Sequence, residues 1–315
     1  PPPRHDGENP TWEDGVMTQN GSRRRGLLCL LGCFCLWGFQ PLYWSLFGEI
    51  DTVFLMACRI VWAACASVAV LKLQGKLGQL RALFRDKRVL LREIPAALFL
   101  LADWAIYLWA VRAGMVLQCS MGYYIQPLVV FTFGALLFHE PITWRHIAIL
   151  GIMAAGVLAS AGSFGGFPWV TVAVALCFAV YSAIKKSLPV DSTVSTTAEI
   201  LLLAPAALLI ILIFCRGEGG LASVDLSRQI LLLGAGIVTA APMLLFSVGV
   251  RELPLTTVGV CQYLSPTLSV IAGVLLGESL TRDKIASFAF IWAGVILYVL
   301  NGRWEEKRKK AKETE

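Results

Sequence analysis

Ten apolar segments, each long enough or nearly long enough to cross a lipid bilayer as a helix, divide this chain of 315 residues. A bilayer core of about 30 Å requires roughly 20 consecutive apolar residues in a helix. The segments lie at 26–47, 53–73, 94–112, 117–138, 147–162, 168–184, 195–214, 229–250, 255–276 and 284–301. The sequence therefore predicts an all-α integral membrane protein with ten transmembrane helices, embedded in a lipid bilayer.

Composition and charge exclude several other classes of protein. Hydrophobic residues make up 57% of the chain and charged residues 15%, whereas soluble domains contain roughly 45–50% and 25%. The net charge of +6 does not indicate nucleic-acid binding, because the basic residues cluster beside apolar segments, at Arg23–Arg25, Lys72–Arg92 and Arg303–Lys312. The nine cysteines lack the spacing of a zinc site. We expect no nucleic-acid partner, no metal and no cofactor.

The position of the basic residues predicts the orientation of the chain. Cytoplasmic loops of membrane proteins are enriched in Lys and Arg, and the three basic clusters fall on one side if the spans alternate in direction. Both termini are then cytoplasmic. Residues 1–22 are polar and are predicted to be a disordered extension, and residues 303–315 to form a basic cytoplasmic tail.

The chain contains an internal repeat. An offset of 139 residues pairs Val111-Arg112 with Val250-Arg251 and Tyr124 with Tyr263, and it continues through further matched residues. Self-similarity at a fixed offset indicates duplication. Each unit holds five spans, an odd number, so the second unit must enter the membrane from the opposite side. Such inverted repeats are typical of transporters that bind substrate near the middle of the membrane, although channels contain them too.

Several motifs resemble one family of permeases. These are Leu36-Trp-Gly-Phe-Gln-Pro-Leu-Tyr-Trp44, Ser120-Met-Gly-Tyr-Tyr-Ile-Gln-Pro-Leu128 and Gln262-Tyr-Leu-Ser-Pro-Thr-Leu268. They resemble RarD-type EamA-domain permeases of the drug/metabolite transporter superfamily. The resemblance implies two inverted five-helix EamA repeats, at 23–163 and 164–302, in the bacterial inner membrane, and a link to export of metabolites or drugs. The chain departs from the family pattern at Asp103 and Gln126, where Asn is usual.

Three ionisable side chains lie well inside the predicted spans: Arg59, Asp103 and Glu199. A charge inside a membrane costs at least about 2.5–3.5 kcal/mol on insertion scales, so each is a candidate for gating or coupling. Arg59 and Glu199 occupy equivalent positions of the two repeats. Inversion places them at mirrored depths, on the order of 15 Å apart. We therefore expect each to serve its own side as a gate contact or a cap on backbone groups.

Asp103 lies near the middle of its span, with Tyr107 four residues on and on the same helical face. Its repeat equivalent is Pro242, which is expected to interrupt the partner helix. A buried carboxyl at this depth favours the protonated form, so Asp103 is a candidate proton or cation site. The alternative is a protonated side chain that only forms a hydrogen bond with a neighbouring helix.

A set of aromatic and polar side chains is suited to bind an amphipathic ligand. The candidate substrate pathway consists of Trp37, Asp103, Trp104, Tyr107, Tyr124, Tyr181, Gln262, Tyr263 and Ser265. Packing between helices is the alternative role for each of them.

Together these features predict a secondary transporter that exports a small amphipathic metabolite, an amino-acid-like compound or a drug by alternating access, with protons as the candidate coupling ion. A passive facilitator or channel is the main alternative. A membrane-embedded enzyme or a scaffold ranks lower, because the sequence shows no clustered nucleophile or metal-ligand set. The chain is expected to be a monomer or a homodimer.

Overall fold

A computed structural model describes residues 12–47, 50–112, 116–161, 169–214 and 225–276, together with 285, 289–290, 292–302 and 304. This part of the chain is helical apart from short turns, and it contains no strand. The helices in chain order are α1 (Trp12–Trp44), α2 (Thr52–Leu73), α3 (Leu77–Arg85), α4 (Lys87–Arg112), α5 (Val116–Leu137), α6 (Trp144–Ala161), α7 (Trp169–Ser187), α8 (Ser192–Phe214), α9 (Leu226–Glu252), α10 (Leu255–Gln262), α11 (Leu264–Leu275) and α12 (Trp292–Gly302).

The predicted all-α membrane architecture is confirmed. Helices satisfy their own backbone hydrogen bonds, which is what a chain in hydrocarbon requires. Among the described residues, five helices are long and apolar enough to cross a membrane, and shorter apolar helices accompany them. Each predicted apolar segment lies at least partly on a helix. The full count of ten membrane crossings stays a prediction.

The amino-terminal boundary of the first helix differs from the sequence-based prediction. Residues 1–22 were expected to be disordered, but α1 begins at Trp12, so the prediction is wrong for residues 12–22. Extending an existing helix gains one hydrogen bond for each residue that is fixed, and the apolar part of α1 has already met the cost of nucleation. Residues 1–11 and the tail beyond residue 304 lie outside the described residues.

The most extensive contacts between helices follow the internal repeat. If α1, α2, α4 and α5 of the first unit exchange with α7, α8, α9 and α10–α11 of the second, these contacts map onto one another, whereas the smaller contacts α7–α9 and α8–α9 have no comparable counterpart. The pair α1–α9 corresponds to α4–α7, the pair α5–α7 to α1–α11, and the pair α2–α9 to α4–α8. The pairs α2–α8 and α5–α10 each correspond to themselves. The hydroxyl of Tyr263 also donates to the carbonyl of its own repeat equivalent, Tyr124, at 3.2 Å.

Ion pairs connect the loops and helix ends at one end of the bundle, which we call the charged end. Lys76 pairs with Asp191 at 2.7 Å, and Arg25 pairs with Glu252 at 3.1 Å. These contacts join α1, at the residue before its apolar part, to the end of α9, and the turn after α2 to the residue before α8. Segments that are predicted to share one side of the membrane therefore meet in the fold.

Aromatic residues collect at the opposite end, which we call the aromatic end. The rings of Trp109 and Trp169 lie 5.2 Å apart, and the ring of Tyr43 contacts those of Trp44 and Phe47. The hydroxyl of Tyr43 also donates to the carbonyl of Leu231, which ties α1 to α9. Apolar and aromatic contacts stabilise this end, whereas ion pairs connect the segments at the charged end.

A buried charge cluster and the candidate functional site

Five side chains form a continuous polar network inside the charged end, which we call the buried cluster: Glu93, Tyr181, Lys185, Ser195 and Glu199. The ammonium of Lys185 pairs with Glu199 Oε1 at 2.8 Å and donates to Ser195 Oγ at 2.9 Å. The hydroxyl of Ser195 donates to Glu93 Oε2 at 3.2 Å, and that of Tyr181 donates to Glu199 Oε2 at 3.2 Å. Glu93, Lys185, Ser195 and Glu199 are each 0% exposed.

Three helices supply the cluster, and the helical period explains the arrangement. Tyr181 and Lys185 are four residues apart on α7, and Ser195 and Glu199 are four residues apart on α8, so each pair lies on one helical face. Glu93 comes from the first turns of α4, which packs against both α7 and α8. Charges removed from water in this way are tolerated when they are paired and hydrogen-bonded.

Three members of the buried cluster were not among the predicted site residues: Glu93, Lys185 and Ser195. Glu93 and Lys185 fall one residue outside the predicted spans 94–112 and 168–184, and so they were assigned to the loops. Glu199 was identified as a candidate for gating or coupling, and Tyr181 as part of the candidate substrate pathway. The four-residue spacing of Tyr181 and Lys185 was the available signal, because it places both polar tips on the face that carries the aromatic candidates.

Arg59 lies apart from the buried cluster, towards the aromatic end. Its guanidinium carbon lies 4.7 Å from the ring centre of Trp104 and 5.2 Å from that of Trp44. One terminal nitrogen donates to the sulfur of Met56 at 3.3 Å. Nε has no hydrogen-bond partner among the described residues. Glu199 pairs with Lys185 and not with Arg59, so the two repeat-equivalent residues serve different ends of the bundle.

Asp103 is buried, with 3% of its surface exposed, and Oδ1 has no hydrogen-bond partner within the described part of the chain. The predicted neighbour Tyr107 is 38% exposed, and its ring packs on Tyr123 at 5.8 Å. Helix α9 continues through Pro242, so the expected interruption is wrong. Within a membrane bundle the neighbouring helices can accommodate a proline without a break.

The aromatic candidates separate into groups. Trp37 and Tyr181 share the aromatic core of the bundle, where the ring of Phe246 lies 5.6 Å from Trp37 and 6.0 Å from Tyr181. Trp104 lies beside Arg59, whereas Tyr124 and Tyr263 contact each other.

The polar candidates of the ninth span differ in burial. Gln262 is buried, and its Oε1 has no hydrogen-bond partner among the described residues. Ser265 is half-buried on α11, which packs against α1. A groove of about 310 Å³ between α1 and α9 contains none of the predicted pathway residues, and its lining includes Gln40, Tyr43 and the largely exposed Ile237.

Glu140 makes a second polar contact at the charged end. Its two carboxylate oxygens accept from the backbone amides of Leu255 and Thr256 at 2.7 and 2.9 Å, at the start of α10. A helix amino terminus favours such an anion, because its first amide groups lack partners within the helix. A Cβ atom at Gly134 would lie 2.6 Å from Glu140 Oε2, so glycine is required for this close approach.

The fold and its long apolar helices define a class, the helical membrane proteins. The EamA-like transporter family matches residues 24–161 and again residues 167–300. The chain therefore belongs to the EamA-like transporter family, and the double match agrees with the internal repeat.

Curated relatives extend over nearly the whole chain. An uncharacterised transporter, YojE of Bacillus subtilis (strain 168), is 32% identical and covers 92% of this chain and 99% of its own length. Protein RarD of Streptomyces exfoliatus is 31% identical and covers 94% of this chain and 95% of its own length. A protein of Pseudomonas aeruginosa, named chloramphenicol-sensitive protein RarD, is 28% identical over 87% of this chain and 93% of its own length.

One solved crystal structure superposes with a TM-score of 0.72, over 89% of this chain and 99% of that chain. The two sequences are 20% identical, so this likeness shows the fold alone. The relatives and the family match together identify a membrane transporter with RarD-like proteins among its homologues.

Proposed function

We propose that this protein is a secondary transporter that exports small amphipathic compounds across a bacterial inner membrane by alternating access. The ten helices form two inverted five-helix units, and both termini face the cytoplasm. The charged end is the cytoplasmic end. This assignment follows the enrichment of basic residues in cytoplasmic loops, since Arg25 and Lys76 lie at that end.

The observation that carries this proposal is the symmetry of the helix contacts. Exchange of the two units maps the pair α1–α9 onto α4–α7 and the pair α5–α7 onto α1–α11. Two inverted units with equivalent contacts can exchange conformations, and the exchange closes one end of the bundle while it opens the other. The ion pairs and the buried cluster support assignment of the described conformation as closed at the charged end.

The proposed substrate class follows from the side chains that face the bundle interior. The main core cluster combines aliphatic side chains with aromatic rings, including those of Trp37, Phe178 and Tyr181. Such surfaces favour ligands that have an apolar body and a few polar groups. The name of the Pseudomonas aeruginosa relative refers to chloramphenicol, an aromatic compound with polar groups. Chloramphenicol is therefore a reasonable first probe, together with aromatic and aliphatic amino acids.

Counterflow in proteoliposomes tests alternating access directly. Vesicles are preloaded with an unlabelled probe, and the uptake of a trace of the same radiolabelled probe is followed. An alternating carrier is accelerated by substrate on the opposite side of the membrane, and we expect this acceleration for at least one probe. A channel equilibrates the label without acceleration, and that outcome would contradict the proposal.

Proton coupling at Asp103 belongs to the same proposal. The buried carboxyl with an unpartnered Oδ1 can hold a proton when it is dry and lose it when water enters. Asp103→Asn removes the titratable proton and keeps nearly the same shape. We expect this variant to retain counterflow but to lose its response to an imposed pH gradient. A gradient response equal to that of the wild type would exclude Asp103 as the proton site.

A further inference from the structure

The buried cluster contains more acid than its single lysine can neutralise. Glu93 and Glu199 are both 0% exposed, and among the described residues Lys185 is the one cation that contacts the network. The ammonium is committed to Glu199 Oε1 and Ser195 Oγ. Glu93 receives a single hydrogen bond, from Ser195 to Oε2, while Oε1 has no donor among the described residues.

The two carboxyl groups are linked through a short chain of contacts. Glu93 Oε2 lies 3.2 Å from Ser195 Oγ, Ser195 Oγ lies 2.9 Å from the ammonium of Lys185, and that ammonium lies 2.8 Å from Glu199 Oε1. An ionised carboxylate is an acceptor only, so two ionised groups would place two buried negative charges beside one ammonium. Like charges at such close range are unfavourable in a buried site, and one of the two groups takes up a proton. A single proton on the pair leaves one negative charge opposite Lys185.

The other charged or titratable groups near Glu93 do not replace this proton. Tyr181 on α7 donates its hydroxyl to Glu199 and carries no charge. Arg251 on α9 interacts electrostatically with both carboxyl groups. Its guanidinium donates to the carbonyl of Leu188 at 2.6 Å, however, and it forms no ion pair with either acid. Arg251 therefore lessens the repulsion without separating the two carboxyl oxygens.

We propose that Glu93 and Glu199 share one proton beside Lys185, and that the loss of this proton opens the charged end of the transporter. This inference rests on the proposed alternating-access function and adds a second proton site, distinct from Asp103. The proton leaves the carboxyl group of Glu93 to water. Lys185 then faces two carboxylates, and the repulsion between them favours separation of α4 from α8.

Infrared spectroscopy of the purified protein tests for the shared proton without any substrate. A protonated carboxyl group has a C=O stretching band that a carboxylate lacks. We expect one such band in the wild type at neutral pH that disappears in Glu93→Gln and equally in Glu199→Gln. In either variant the remaining acid pairs with Lys185 and becomes ionised. Asp103→Asn is the matched control, because it removes a different buried acid and leaves this band in place.

Cysteine labelling tests for opening at the charged end. Thr196 on α8 is buried, and Thr196→Cys in a background without the nine native cysteines reports access of a membrane-impermeant maleimide. We expect labelling to increase several-fold as the pH rises, both in the otherwise unchanged background and with Asp103→Asn. It should stay low and independent of pH with Glu93→Gln.

Either of two results would overturn the inference. One is that neither Glu93→Gln nor Glu199→Gln removes a protonated-carboxyl band that is present in both the wild type and Asp103→Asn. The other is a pH response of labelling that Glu93→Gln leaves unchanged. Failure of the proposed transport function would appear elsewhere, in the counterflow experiment on the wild type, so the two failures are distinguishable.

Discussion

The two ends of the bundle use different interactions at positions that the internal repeat makes equivalent. Arg59 on α2 and Glu199 on α8 are repeat equivalents. At the charged end Glu199 has an ammonium, a tyrosine hydroxyl and a second acid around it. At the aromatic end Arg59 lies between the rings of Trp44 and Trp104. One structural position thus holds a charge at both ends, but with opposite sign and different neighbours.

The neighbours of these two charges differ in the geometry that they require. Hydrogen bonds and ion pairs weaken steeply when distance or angle changes, so the buried cluster is either assembled or broken. Contacts between rings and a cation tolerate a range of positions within about 6 Å. The repeat equivalent of Glu93 is Leu232, which packs in an apolar cluster at the aromatic end. We therefore expect the charged end to switch between two states and the aromatic end to adjust gradually.

Removal of Lys185 should have the largest effect on stability. Lys185→Met leaves two buried acids without their cation, and breaking a buried pair in this way costs about 3–5 kcal/mol. The free energy of unfolding in detergent, measured by denaturant titration, should fall by an amount of this order. The exposed Lys72 at the end of α2 provides the matched control, since Lys72→Met should change stability little.

A double variant of the Lys185–Glu199 ion pair tests whether that pair is the source of the stability. Lys185→Met combined with Glu199→Leu removes both members of the ion pair, and replacement of a buried pair by apolar residues is often neutral. The double variant should therefore recover much of the lost stability. If it is as unstable as Lys185→Met alone, the ion pair is not the source of the effect.

Truncation of Glu140 should have the second largest effect. Glu140→Ala removes two charge-assisted hydrogen bonds at the start of α10. A hydrogen bond to a charged group contributes about 1.5–3 kcal/mol net, but Glu140 is only partly buried, so water replaces part of what is lost. We expect a loss of about 2 kcal/mol in the free energy of unfolding. Glu140→Gln keeps one carbonyl oxygen as acceptor and should fall between the wild type and Glu140→Ala. Equal stability of the two variants would show that the carboxylate does not cap α10.

Much of the fold was predictable from sequence, because the solvent around most of the chain is the hydrocarbon of a lipid bilayer. A bilayer imposes a minimum length on every apolar helix, so runs such as 53–73 and 229–250 correspond closely to α2 and α9. The first residue of α1 was not predictable in this way. The solvent argument applies to residues in hydrocarbon, whereas the start of α1 at Trp12 depends on helix propagation through polar residues.

The candidate site was predicted only in part, because an estimate of depth from span boundaries carries an uncertainty of about two residues. Glu93 and Lys185 each lie a single position outside a predicted span and were therefore assigned to loops, although both are fully buried. Burial at a helix end depends on which neighbouring helices pack there, and a single amino-acid sequence does not show those tertiary contacts. Asp103 and Glu199 were identified because they lie several residues inside their spans.

Replacement of Arg59 should have a smaller effect than replacement of Lys185. Arg59→Met loses cation–π contacts with Trp44 and Trp104, worth about 0.5–2 kcal/mol, but it also removes a charge that has no acidic partner among the described residues. These two terms oppose each other, so we expect a change within about 1 kcal/mol of the wild type. Denaturation of both variants in the same detergent measures the difference. An Arg59→Met variant as unstable as Lys185→Met would mean that the two ends do not differ.

The smallest effect concerns the ion pair between Lys76 and Asp191 in the loops of the charged end. Partial burial raises the pKa of Asp191, but the hydrogen bond from Lys76 and the amides of Val194 and Thr193 outweigh it, so the pKa lies below its ordinary value. A carboxyl group whose pKa is lowered by folding stabilises the folded state above the ordinary pKa of about 3.9. That contribution is lost as the pH falls through the lowered pKa. Both side chains are about one third exposed, which limits the pair to about 0.2–1 kcal/mol.

Lys76→Met should remove the part of this contribution that depends on the ion pair. The stability of the variant should fall below that of the wild type at neutral pH, and the two curves should converge as the pH falls below about 4. Denaturant titration at a series of pH values measures both curves. Because the pair is exposed, added salt should also reduce the difference at neutral pH, whereas salt should leave the effect of Lys185→Met nearly unchanged. A salt-insensitive Lys76→Met difference that persists at acidic pH would show that Lys76 acts by packing and not by its charge.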